Sequence, residues 1–231
     1  MSEMISIDAG GGGSFDAYLA LPESGPAPAL IVVSSIYGLT KGLKETIDRY
    51  ARRGFIVIAP DVFWRTQPGP LEGNRREEAQ ARLDAYEIDP GMDDLRATRD
   101  ALAGRPEWNG KFAVFGFCFG GQHGFLGLTR LGADAGVSFH GTGIQRFLDE
   151  ASAVHAPFSF HFAEEDDLVT LDDVEQIRAA LTGKEGEIVV HAGATHGFAR
   201  VEAPRYNAKV AHEAEERAFA MLDKLKSAAV V

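Results

Sequence analysis

From Ala29 onward the chain alternates short, continuously apolar runs with amphipathic segments, and this alternation narrows the available folds more than any other feature. The runs at 29–34, 55–60, 111–117, 135–139, 158–163 and 187–191 read as strands, and the segments at 43–53, 74–86, 91–103, 171–181 and about 206–226 as helices. In 91–103, Met92, Leu95, Thr98 and Leu102 share a face; in the last segment Val210, Ala214, Ala218, Met221, Leu222 and Leu225 recur at helical spacing. A strand that is apolar along its whole length must be covered on both faces, which is the condition of a parallel sheet flanked by helices. Ahead of this region, residues 4–7 and 15–21 alternate apolar and polar positions around four glycines at 10–13, the pattern of an antiparallel pair joined by a turn. No Gly-Lys-Ser/Thr follows those glycines, so they do not form a phosphate loop. With no internal repeat and no low-complexity linker, residues 1–231 read as one α/β domain. A mostly parallel central sheet carries the antiparallel N-terminal pair and has helices on both faces.

The formal net charge of -11 excludes partners that demand clustered Lys and Arg, so neither nucleic acid nor an anionic membrane surface is expected. The longest apolar runs are far too short to span a bilayer. A single cysteine rules out an internal disulfide, and Met1-Ser2-Glu3-Met4 lacks the basic and apolar regions of a signal peptide, so a reducing cytoplasm is the expected setting. Oligomeric state has no signature here.

That cysteine is Cys118, in Gly116-Phe117-Cys118-Phe119-Gly120-Gly121, where an apolar strand runs into a glycine-flanked residue and then a helix. The pattern is G-x-S-x-G with sulfur in place of the hydroxyl: a strained strand-to-helix turn that exposes a nucleophile and leaves no room for side chains two residues away. A free thiol, with a pKa of about 8.5, is only slightly ionised at neutral pH and needs a base. In open α/β sheets functional groups gather at the carboxyl ends of strands. His196, in a glycine turn past the strand at 187–191, is the candidate base, and Asp166, directly after the strand at 158–163, the carboxylate that orients it. The order Cys, Asp, His is that expected of α/β-hydrolases. A buried inert thiol, a solvated acidic loop and a surface histidine would each explain one of these residues singly. Their joint order and strand-end positions favour a triad. An oxyanion would be met by the backbone N–H of Phe119, with the dipole of a helix opening there, and by Ile36 or Tyr37 in the loop after the strand at 29–34. No His-Glu-x-x-His is present and the other histidines lack ligand spacing, so no metal is expected.

Together, Ser35-Ile36-Tyr37-Gly38, Ala59-Pro60-Asp61-Val62-Phe63, Asn109-Gly110-Lys111, the cysteine elbow, Asp166 and His196-Gly197-Phe198-Ala199-Arg200 resemble the dienelactone hydrolase family, over nearly the whole chain. The resemblance implies an α/β-hydrolase with a Cys118/His196/Asp166 triad. It would act on a small, anionic ester or lactone through an acyl-thioester, without metal or organic cofactor. It also implies that two arginines, aligned with Arg76 and Arg200, hold the substrate carboxylate, a task suited to bidentate guanidinium donors. One departure stands out. The family usually has a glutamate just before the oxyanion loop that keeps the thiol neutral until substrate arrives, and here the residue is Ser35. Either the Cys118/His196 pair rests in its ionised form, or Ser35 together with Tyr37 binds a different range of substrates. His140, where an aromatic is common, would line the same pocket. The alternative is a protein on a hydrolase scaffold that binds a small carboxylate without turnover.

Overall fold

A computed structural model describes residues 1–11 and 13–227; Gly12, in the expected glycine turn, lies outside the described residues. The described residues divide into two compact units, 1–112 and 113–227.

In the first unit, β1 (Ser2–Gly10) and β2 (Gly13–Ala20) form the antiparallel pair, and β2 continues antiparallel onto β4 (Ile56–Pro60). Strands β3 (Ala27–Val33) and β4 (Ile56–Pro60) are parallel and buried at every position, as their unbroken apolar sequences require. Between them runs α1 (Lys41–Arg52), whose first turn is capped by Thr40 Oγ1 accepting from the Leu43 amide at 3.3 Å. Helices α2 (Arg76–Asp84) and α3 (Ile88–Asp100) follow. Both differ from expectation at their ends. Helix α2 is shorter than 74–86, while α3 starts before 91 because Pro90 fits within a first turn, where its missing N–H costs nothing. Met92, Leu95, Thr98 and Leu102 are all buried, as their spacing predicts.

The second unit, which β5 (Trp108–Phe117) enters at Ala113, carries a fully parallel run of strands in the order β5, β6 (Ala135–Phe139), β7 (Phe158–Glu165), β8 (Gly186–Thr195). A 3-10 turn, Cys118–Gly120, leads from β5 into α4 (Gly121–Leu126), so the helix proper begins two residues later than Phe119. Helix α5 (Leu171–Ala180) opens on a reciprocal capping box between Thr170 and Asp173. Helix α6 (Ala208–Leu222) is capped by Asn207 and buries Val210, Ala214, Ala218 and Leu222 along one face. Strand β8 runs four residues past the expected end at 191. No helix among the described residues is long and apolar enough to cross a membrane.

The four parallel strands of this unit therefore end in register on four residues with chemistry to offer. Cys118 follows β5, His140 follows β6, Asp166 follows β7 and His196 follows β8, each as the first residue past its strand.

Candidate active site

The turn at Cys118 is built by exclusion of side chains. Cys118 sits at φ 54°, a left-handed conformation that non-glycine residues seldom adopt. A Cβ on Gly116 would lie 1.8 Å from the Gly120 carbonyl oxygen and 2.2 Å from its carbon, and one on Gly121 would lie 2.3 Å from Gly141 Cα. Both obstacles are backbone and cannot rotate away. The turn is pinned further by Thr142, whose amide donates to the Cys118 carbonyl at 3.0 Å. Beneath it lies fully buried His123, which hydrogen-bonds the backbone of Phe119 and Gly120; burial nonetheless drives its pKa down to about 4. Gly116→Ala is accordingly expected to destabilise the protein by at least about 3 kcal/mol, read as a lower urea midpoint at unchanged m-value.

Three of the expected residues meet at this turn. His196 Nε2 lies 3.1 Å from Cys118 Sγ, and His196 Nδ1 lies 3.0 and 2.9 Å from the two carboxylate oxygens of Asp166. Asp166 is held in turn, its Oδ1 accepting from the amides of Leu168 (2.8 Å) and Val169 (3.1 Å). The Asp166 side chain is fully buried and that of His196 is 12% exposed, so the contacts are little screened by solvent. Burial by itself would lower the pKa of His196. The hydrogen bonds to Asp166 and Cys118, and the charges of both, outweigh it and pull the imidazole up to about 10.

His140 belongs to the same cluster. It is fully buried at φ 42°, its ring centroid 4.9 Å from that of His196 and 5.2 Å from that of Phe198. Burial first, then the nearby charges of His196 and Arg200, hold its pKa well below the ordinary range. Arg200 is half-buried, four residues beyond His196, with its amide donating to the Gly197 carbonyl at 3.0 Å. His161 and His191 form a separate chain inside the strands: His161 Nδ1 meets His191 Nε2 at 3.0 Å, and its Nε2 meets Ser159 Oγ at 2.8 Å.

The remaining candidates lie in the first unit. Ser35, Ile36 and Tyr37 form the loop after β3, where the Tyr37 amide donates to Ser35 Oγ at 3.4 Å. Arg76 opens α2 and is exposed. The arginine of that helix with a buried position is Arg82, which the sequence reading did not single out. Its guanidinium donates to the carbonyls of Ile36 (2.6 and 2.8 Å), Gly69 (2.8 Å) and Gln67 (3.1 Å) and stacks over Phe63 at 4.3 Å. It ties the Ser35–Gly38 loop to the segment at 67–69, a role no local pattern announces.

Comparison with known proteins bears on the chain as a whole. The model of the dienelactone hydrolase family matches residues 15–226. A carboxymethylenebutenolidase of a Pseudomonas sp. is 32% identical over 230 residues, covering 98% of this chain and 97% of that protein. The carboxymethylenebutenolidase of Pseudomonas putida is 30% identical over 233 residues, covering 98% of each. A solved structure from Klebsiella pneumoniae superimposes with a TM-score of 0.87 at 24% identity, covering 97% of this chain and 98% of that one, which establishes the α/β-hydrolase fold. On the family match and these full-length relatives, the chain belongs to the dienelactone hydrolase family.

Proposed function

We propose that the protein hydrolyses small carboxylic esters or lactones, with Cys118 as nucleophile, His196 as acid and base, and Asp166 as the group that orients and stabilises the imidazolium. The observation that carries this is the continuous hydrogen-bonded line from Cys118 Sγ through His196 to Asp166, with contacts of 3.1 and 2.9 Å. The full-length relatives named carboxymethylenebutenolidase support a lactone as the preferred substrate class.

In this mechanism the thiolate attacks the acyl carbon and the carbonyl oxygen takes up negative charge, which the Phe119 N–H stabilises. The C–O bond breaks as His196 passes its proton to the departing oxygen, leaving a thioester on Cys118. In a lactone that oxygen stays tethered to the acyl group. Water then gives a proton to His196 and attacks the thioester; the C–S bond breaks, the Cys118 thiolate is left beside protonated His196, and the product departs as a carboxylate with its acid proton passing to solvent. Arg200 is the arginine proposed to hold an anionic substrate, since its charge is felt at His140 within the cluster.

The sequence carries Ser35 where the family usually has a carboxylate, and Cys118 Sγ lies 3.1 Å from Nε2 of His196, an imidazole whose own charged form is favoured. Of the two consequences drawn from the sequence, a resting Cys118/His196 ion pair is the one these contacts support. The test is a panel of p-nitrophenyl esters, saturated lactones and dienelactones assayed with and without iodoacetamide, followed by mass spectrometry of the protein. Turnover lost on alkylation, with an acyl adduct trapped on Cys118, is expected. Substrate recovered intact and no adduct would establish a binding protein instead.

A further inference from the structure

The spacing of histidines along the chain gives no metal signature, yet the fold gathers three metal-binding side chains at the carboxyl ends of β5, β6 and β8. One donor atom from each of Cys118, His140 and His196 lies within 4.8 Å of the others. The geometry points to a binding site for a divalent, borderline-soft cation, zinc(II), formed by the Cys118 sulfur and the imidazoles of His140 and His196. Its occupancy would shut the enzyme off.

His140 is the observation that requires an explanation beyond hydrolysis. It is completely buried, and beyond its own backbone neither ring nitrogen has a hydrogen-bond partner among the described residues. An orphaned polar group in the interior costs free energy that a native structure ordinarily avoids. The backbone at His140 is also in the left-handed region, like that of Cys118, and the register brings the two together, because Phe117 pairs with Phe139 immediately before them. Two non-glycine residues are thus held in disfavoured conformations side by side, both at the same cluster.

His196 is oriented for the same purpose. Its Nδ1 is bonded to Asp166, which turns Nε2 toward the cluster, and a carboxylate behind a histidine is the usual support of a metal-bound imidazole. Two imidazoles and one thiolate are a donor set that zinc accepts with a fourth position open. Zinc bonds of about 2.0–2.3 Å would draw the donors roughly 1 Å closer than their widest separation here. The charge of Arg200 opposes a cation at this place and that of Asp166 favours it. Binding displaces the proton shared by Cys118 and His196: sulfur bonded to zinc is a weaker nucleophile, and His196 Nε2, bonded to the metal, can no longer carry a proton. Metal occupancy and turnover therefore exclude one another.

The test reads binding rather than turnover, so it stands whether or not the hydrolytic assignment holds. Metal-free protein is titrated with zinc against a chromophoric chelator, and with cadmium while the ultraviolet thiolate-to-metal absorption is followed. One equivalent should bind, produce that absorption and protect Cys118 from iodoacetamide. His140→Phe, which keeps a ring against Phe117 and Phe198, and His140→Gln, which keeps polarity instead, should each weaken binding at least tenfold. Circular dichroism verifies that at least one of them is folded. Cys118→Ala should lose the absorption. The proposal is overturned if zinc leaves alkylation unaffected, if it binds only elsewhere on the surface, or if the folded His140 variants bind as tightly as the parent protein.

Discussion

Cys118→Ala is expected to lower kcat/KM for p-nitrophenyl acetate by about a millionfold, the scale at which removing a nucleophile leaves only substrate binding and oxyanion stabilisation. The substitution is clean. Alanine keeps the Cβ, so the strain at φ 54° is the same in both proteins, and only the sulfur in contact with His196 Nε2 is removed. The urea midpoint should move little compared with that of Gly116→Ala, where the added atom collides with backbone. A Cys118→Ala protein with the parent's turnover would remove the mechanism proposed above, whatever family the chain belongs to.

Asp166→Asn is expected to cost about ten-thousandfold in kcat, because the amide can no longer fix the tautomer of His196 or stabilise its charged form. The side-chain oxygen of asparagine can still accept from the amides of Leu168 and Val169, so the loop should keep its shape. The same variant tests the ionisation argument. With a folded-state pKa of about 10 against an ordinary 6.5, His196 contributes stability that is fully present below pH 6.5 and is lost as pH rises toward 10. The parent protein's stability should fall across that window, and Asp166→Asn should flatten the fall. An identical pH profile in both would mean that Asp166 does not support the imidazolium.

The Klebsiella structure bears on which inferences travel between such proteins. A TM-score of 0.87 at 24% identity shows how far sequence can drift while the fold persists. The hydrolytic reading depends on the ends of β5, β7 and β8.

The candidate triad was legible because each member carries a local sign. The elbow needs glycine at 116, where any side chain meets the Gly120 carbonyl, and such a requirement is written in the residue itself. Asp166 and His196 each follow an apolar run, and a parallel strand forces its first following residue to the same edge as its neighbours'. Helix boundaries were less legible. The start of α3 depended on Pro90 fitting a first turn, and the start of α4 on a 3-10 turn being tighter than the expected helix.

Arg82 and Arg76 show where the sequence stops. Both lie on α2, whose buried residues are Ala79 and Arg82, so no apolar stripe says which face turns inward. Only the packed structure selects Arg82, by offering its guanidinium four hydrogen bonds to the carbonyls of Ile36, Gln67 and Gly69. His140 is a partial case: its place in Phe139-His140-Gly141 led to the expectation that it lines the same pocket, but its complete burial and its packing against the His196 ring follow from the packed structure and not from a local pattern. The alternation of apolar and amphipathic segments, the cramped turn at Cys118 and the order of the three reactive residues were determined by sequence alone, because steric and hydrophobic demands act over a few residues. Which arginine is buried, and that the histidine beside the thiol has no partner beyond its own backbone among the described residues, was decided by the tertiary structure, because burial and pairing depend on atoms that the chain brings together from afar.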